Sequence, residues 1–217
     1  MQFSDIKAVV FDLDGTLLNT LDDLMNGLNA ALSENGMPER SRTDVRRFVG
    51  NGLAKLVERA IPDGRANPLY EKTLADTRRF YAQKCRENTK PYDGIAELLA
   101  ALQQKGLRLA VVSNKPDAQV KKLCGEFFPG RISAAIGQRD GVPLKPAADP
   151  VLEALRLLDT SPADAVYVGD SDVDILTAKN AGIPCISVLW GFRDRPLLES
   201  AGGKLFAASP AEMIRFF

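Results

Sequence analysis

The first apolar run of the chain closes on two acids one residue apart. Asp12 and Asp14 bracket Leu13 in "FDLDGT", with Gly15 and Thr16 behind them. Other apolar runs also finish on residues able to do chemistry. Ser113 and Asn114 end "LAVVSN", and Asp170 ends "AVYVGD", with Asp174 one helical turn further on. Lys145 stands in a loop after the weaker run "ISAAIG". Carboxylates gathered at one place repel one another unless a cation intervenes. Carboxylate and carbonyl oxygens at low ligand count favour Mg²⁺, which keeps several waters and is completed by substrate phosphate oxygens. The 217 residues include no histidine. That excludes Ser-His-Asp and Cys-His nucleophile systems and the usual zinc hydrolase centres. Acids, bases and ligands must therefore come from carboxylates, lysines, hydroxyls and backbone.

Parallel strands place such residues together whatever their separation in sequence. The runs "AVVFDLD" (8–14), "LAVVSN" (109–114), "ISAAIG" (132–137), "AVYVGD" (165–170) and "CISVLWG" (185–191) are continuous and rich in β-branched residues, as buried strands are. Helical patterns separate them. One spans 94–106 and ends on Gly106; another spans 149–159, with Asp149 read as its cap and Pro150 as its first helical residue. A third spans 172–184, with Gly182 and Pro184 as its stop. Strand–helix alternation predicts an α/β fold with a Rossmann-like parallel sheet core, in which ligands bind outside the carboxyl ends of the strands. Residues 18–91 break the rhythm. They show helical periodicity only, in stripes through Leu21, Leu24, Met25, Leu28 and Leu32, then Phe48, Leu53, Leu56 and Val57, then Leu69, Leu74, Phe80 and Tyr81. Such an excursion far exceeds a strand–helix connection. The expected organisation is a core of residues 1–17 and 92–217 with an inserted all-helical cap, 18–91.

Apolar residues make up 45% of the chain and charged residues 26%, enough apolar material for a sizeable core. Lysines and arginines balance aspartates and glutamates at 28 each, so no nucleic-acid or membrane partner is expected and any anion must be met by local groups. Cys85, Cys124 and Cys185 match neither a zinc spacing nor a disulfide framework. With no signal-like opening and no run of membrane-spanning length, a cytoplasmic location is expected, as a monomer or homodimer.

The constellation resembles the haloacid dehalogenase superfamily, whose four motifs occur in order: "DLDGT" at 12–16, Ser113 in "VVSN", Lys145 in "PLKP" and "GDSDVD" at 169–174. Within it the chain looks like bacterial phosphoglycolate phosphatases, through "FVGNG" (48–52), "GDSDVDILTAKNAG" (169–182) and "WGFR" (190–193). The resemblance implies a Mg²⁺-dependent phosphatase acting on a small phosphorylated metabolite. Asp12 would attack phosphorus and Asp14 would serve as acid and then base. Ser113 and Lys145 would grip and neutralise the phosphoryl group. The metal would be held by Asp12, the Asp14 carbonyl and Asp170, with Asp174 either a further ligand or a partner orienting waters or Lys145. Gly15, Thr16 and Asn114 are expected at the substrate, and so are Gly50, Asn51 and Gly52 from the cap. Arg46, Arg47 and Arg193 are further candidates for a substrate carboxylate. Sugar-phosphate mutases and pyrophosphatases share these motifs. A 2-haloacid dehalogenase would not need Asp14, and a receiver-type phosphoaccepting module would lack the cap.

Overall fold

The computed structural model describes residue 3 and residues 5–217. Strand β1 (Ala8–Phe11) is buried along its whole length, and β2 (Leu18–Asn19) follows after a tight turn. Residues Asn19–Lys90 then form one compact unit of four helices, α1 (Leu21–Glu34), α2 (Arg42–Phe48), α3 (Gly52–Ala60) and α4 (Tyr70–Lys84). Leu21, Leu24, Leu28 and Leu32 give α1 the buried stripe expected of it. Two details differ from the sequence reading. The stripe through Phe48 and Leu53 belongs to two helices, because Val49 is extended and Gly50 takes a φ of 117°. On α4 the buried face runs through Tyr70, Thr73, Leu74, Thr77 and Tyr81. Leu69 is exposed, and Phe80 lies under the Arg79 guanidinium, 4.1 Å from its ring centroid. Asp23 locks the unit's exit to its entry: its buried carboxylate accepts from Asn88 N and Thr89 N (both 2.9 Å) and from Thr89 Oγ1 (2.7 Å). Directly beyond, β3 (Lys90–Pro91) pairs with β2.

The second compact unit comprises the residues up to Leu18 together with Pro91–Phe217. Its elements alternate as α5 (Ile95–Gln104), β4 (Arg108–Pro116), α6 (Asp117–Phe127), β5 (Ala134–Gln138), α7 (Asp149–Leu157), β6 (Ala165–Gly169), α8 (Asp172–Ala181), β7 (Cys185–Val188), α9 (Arg195–Ser200), β8 (Leu205–Ala207) and α10 (Pro210–Met213). The six longer-range strands form one parallel sheet in the order β5-β4-β1-β6-β7-β8. The chain leaves β1 toward β4 on one side and returns to β6 on the other. The topology therefore switches at the carboxyl end of β1, where such sheets open a crevice.

Alternate residues of each strand fill two cores. Val9, Phe11, Val111 and Val168 pack with Ile95, Leu98 and Leu99 of α5 and with Val120 of α6. Ala8, Val10, Val112 and Tyr167 pack with Val151 and Leu155 of α7 and Ala178 of α8. Both faces are thus apolar, which is why the strands read as continuous apolar runs. Local signals set the helix starts. Ser171 caps α8 in a reciprocal box with Asp174, and Gly182 ends that helix in the left-handed conformation. Asp149 is not a cap: α7 begins on it, Ala148 precedes it, and Pro150 lies in the first turn, where the backbone N–H would be unused. Strand β4 runs through Pro116, beyond the expected 114, and so carries Lys115 into the interior. No helix among the described residues is long and apolar enough to cross a membrane.

Truncating a side chain sealed beneath the sheet should leave a cavity. Leu98→Ala, at a fully buried position, is expected to lower stability by about 2–5 kcal/mol in urea unfolding. Leu157→Ala, at a side chain 54% exposed on the outer face of α7, is expected to cost about 0.5 kcal/mol or less.

Candidate active site

The carboxyl ends of β1, β4 and β6 bring Asp12, Ser113 and Asp170 to one edge of the sheet, with Asp174 in the first turn of α8. One carboxylate oxygen from each of Asp12, Asp170 and Asp174 lies within 4.8 Å of the others. Lys145 enters the same group from the loop before α7. Its side chain is 2% exposed, and its Nζ lies 2.8 Å from both Asp12 Oδ1 and Asp174 Oδ1. The ammonium also donates to Tyr167 Oη at 3.0 Å, and that hydroxyl in turn donates to Asp174 Oδ1 at 3.1 Å.

Each side chain is held from behind. Asn114 receives the Lys145 N–H on Oδ1 (2.8 Å) and donates Nδ2 to the Lys145 carbonyl (3.0 Å), fixing the loop that carries the lysine. Asp174 Oδ2 accepts from Ser171 N (3.0 Å) and Ser171 Oγ (2.5 Å), while Oδ1 faces Lys145 and Tyr167. Asp170 accepts from Phe192 N on Oδ2 (2.6 Å) and from Thr16 Oγ1 on Oδ1 (3.3 Å). Leu13 N and Lys145 both meet Asp12 on Oδ1. Asp14 sits in the turn after β1, where Leu17 N and Leu18 N both donate to Leu13 O; its Oδ1 is 2.8 Å from the buried Lys115 Nζ. Ser113 Oγ accepts from Lys115 N at 3.2 Å, which leaves its own proton to donate elsewhere.

The approach of these groups limits what the backbone can carry. A Cβ on Gly15, whose φ is +87°, would fall 2.4 Å from Asp170 Oδ2. A Cβ on Gly169 would fall 2.3 Å from the Asp174 carboxyl carbon. A side chain at either position would push a carboxylate out of the cluster.

Electrostatics show what the cluster requires. Burial, reinforced by the Asp174 charge, pushes the Asp170 carboxyl up to about 7, against the Phe192 N–H and the nearby Arg193 and Lys145 charges. Burial is also the largest influence on Asp12, raising its carboxyl well above the ordinary range; Lys145 opposes this while Asp174 and Asp170 add to it. Burial acts to lower the Lys145 pKa, but Asp12 and Asp174 outweigh it and hold the ammonium well above its usual range. If all three carboxylates ionise, one ammonium leaves two negative charges uncompensated, which is why burial and mutual repulsion raise Asp12 and Asp170. A divalent cation satisfies that balance, and the all-oxygen donor set suits Mg²⁺. The residues present therefore fit a metal.

The residues expected at the substrate have their own partners within the protein. Thr16 is wholly buried and spends its hydroxyl on Asp170, Gly15 acts by lacking a side chain, and Asn114 has both ends of its amide on the Lys145 main chain. These three residues build the site from within. Gly50, Asn51 and Gly52 lie in the helical unit at the α2–α3 turn, where Asn51 Oδ1 accepts from Arg59 at 3.0 Å. Arg47 pairs with Asp44 on the same helix, and Trp190 donates Nε1 to Thr16 O at 3.0 Å. Arg193 reaches toward the Asp172 carboxylate at 3.6 Å. Sequence reasoning missed Tyr167 and Lys115. Tyr167 carried a signal, a polar tip inside an apolar strand that must find a buried partner; Lys115 carried none, because the run reads as ending at Asn114.

Comparison with known proteins agrees with this geometry. The family model described as haloacid dehalogenase-like hydrolase matches residues 9–188. A phosphoglycolate phosphatase of Pseudomonas savastanoi pv. phaseolicola is 37% identical over 202 residues, covering 89% of this chain and 73% of that protein. One from Chromobacterium violaceum is 34% identical and covers 98% of this chain and 97% of its own. A crystal structure from Lactobacillus delbrueckii subsp. bulgaricus, provisionally designated a phosphoglycolate phosphatase, superposes with a TM-score of 0.92 at 33% identity, covering 99% of this chain and 98% of that one. The chain belongs to the haloacid dehalogenase-like hydrolases, as one of their phosphatases.

Proposed function

We propose that the protein hydrolyses a small phosphomonoester, with 2-phosphoglycolate as the best match, through an aspartyl-phosphate on Asp12. The observation that carries this reading is the buried group of Asp12, Asp170, Asp174 and Lys145 at the switch point of the sheet. The names of its relatives support the choice of substrate.

Asp12 Oδ2 is the attacking atom, since Oδ1 is occupied by Leu13 N and Lys145. Attack on phosphorus makes an acyl phosphate and expels the alcohol, splitting one slow hydrolysis into two faster steps. Asp14 gives its proton to the departing oxygen and then takes one from the water that opens the intermediate. The Lys145 ammonium offsets charge on the phosphoryl oxygens, and the Ser113 hydroxyl donates to one of them. Asp12, Asp170 and the Asp14 carbonyl would hold Mg²⁺. Asp174, with two donors on each oxygen, can lend one to the ion only by releasing a bond. Bound Mg²⁺ supplies charge neutralisation for the meeting of two anions. The helical unit is the cap in this reading, and Gly50, Asn51 and Gly52 are its candidate substrate contacts.

Asp12→Asn should retain the far-UV circular dichroism of the native fold yet lose at least roughly 10³-fold in turnover of phosphoglycolate, because the amide is no nucleophile. Hydrolysis near the wild-type rate would displace Asp12 from that role. Chelation should abolish activity and Mg²⁺ restore it.

Metal also links to stability. The folded carboxyl of Asp170 lies at about 7, above its unfolded value, so the metal-free fold binds more protons than the unfolded chain and loses stability as pH rises through that range. A bound Mg²⁺ would take the place of those protons. The rise in melting temperature on adding Mg²⁺ should therefore be larger at pH 7.5 than at pH 5.5, as thermal unfolding at both pH values will show.

A further inference from the structure

We infer that Lys115 recognises a carboxylate on the leaving group, and so confines the site to phosphomonoesters that carry an anionic group one methylene from the ester oxygen. This deepens the proposed function and rests on it.

Lys115 follows Ser113 and Asn114 on β4, and its side chain is 2% exposed. Burying an ammonium costs several kcal/mol unless an anion faces it, so its position is a commitment of the fold. The Asp14 carboxyl faces it, with Oδ1 2.8 Å from Nζ, near enough for an ion pair though not aligned as a hydrogen bond. In the proposed reaction Asp14 meets the ester oxygen, so a charge this close to Asp14 lies on the leaving-group side of the phosphorus. Lys145 is placed differently: Asp12, Asp174 and Tyr167 surround it, on the phosphoryl side. Two buried lysines thus divide the work. One faces the transferred group and the other faces what departs. In 2-phosphoglycolate the carboxylate is one methylene from the ester oxygen, within the span from Asp14 to Nζ. A neutral alcohol has nothing to offer that ammonium. The main chain holds the lysine in place: Lys115 N donates to Ser113 Oγ at 3.2 Å, and a Cβ on Gly137 of the adjoining strand β5 would fall 2.7 Å from Lys115 O.

The test compares 2-phosphoglycolate with ethyl phosphate, which lacks the carboxylate, in Mg²⁺. Wild-type protein should favour 2-phosphoglycolate by about 100-fold in kcat/KM, the scale of a buried charge pair. Equal rates would overturn both the substrate reading and this inference. Lys115→Met should erase that preference, mostly through KM for 2-phosphoglycolate, whereas any loss caused by disturbing Asp14 falls on both esters alike. Should wild type show the preference and the variant keep it, Lys115 is not the selector and the substrate reading stands. An equal loss on both esters would mean that Lys115 acts only through Asp14, and would likewise overturn the inference. Lys115→Gln, which keeps a donor beside Asp14, gives the same comparison if the methionine variant fails to fold.

Discussion

A buried ammonium among buried carboxylates is the constraint on which this structure turns. Lys145 touches Asp12, Asp174 and Tyr167 at once, with almost no exposure to water. Removing the lysine from such a group strands the carboxylates as unpaired charge, at a cost of about 3–5 kcal/mol. The arrangement is also incomplete by charge, with one cation for three acids. A fold with only stability to serve would place apolar side chains here, since a well-packed replacement for buried ions is often neutral or stabilising. In the proposed reaction that arrangement would be completed by a metal and a phosphoryl group.

The rest of the core unit serves that arrangement. A parallel sheet brings residues 12, 113 and 170 to one edge because every strand points the same way. Behind them stand polar residues whose bonds are spent on orientation: Asn114 on the Lys145 main chain, Thr16 and Phe192 N on Asp170, Ser171 on Asp174. The capping box of α8 does double duty, since Asp174 both starts the helix and aims the lysine. Without side chains, Gly15 and Gly169 let the carboxylates close in. Function and local folding are set here by the same hydrogen bonds.

Much of this was legible in sequence because the signals were strong and local. Buried parallel strands are apolar on both faces, so β1, β4 and β6 announced themselves, and their polar last residues marked the active edge. The strand at Leu205–Ala207 was not legible: three residues with only one fully buried carry no period. Nor was α6, whose "DAQVKKLCGEF" buries just Val120, Leu123 and Cys124. For Thr16 and Asn114 sequence gives adjacency to a motif and not direction, so their bonds to Asp170 and to the Lys145 main chain were not legible. Lys115 escaped notice because a lysine after a strand reads as solvated, and the added length of β4 was invisible.

The central claim is that Asp12 and Asp170 share a divalent cation beside a phosphorylated Asp12. Crystals grown with Mn²⁺ and beryllium fluoride, measured at the manganese absorption edge, test it directly. The account predicts an anomalous peak coordinated by Asp12 and Asp170, and a trifluoroberyllate joined to the second oxygen of Asp12 with Lys145 alongside. A metal bound elsewhere, or beryllium fluoride absent from Asp12 with the ion in place, would contradict it.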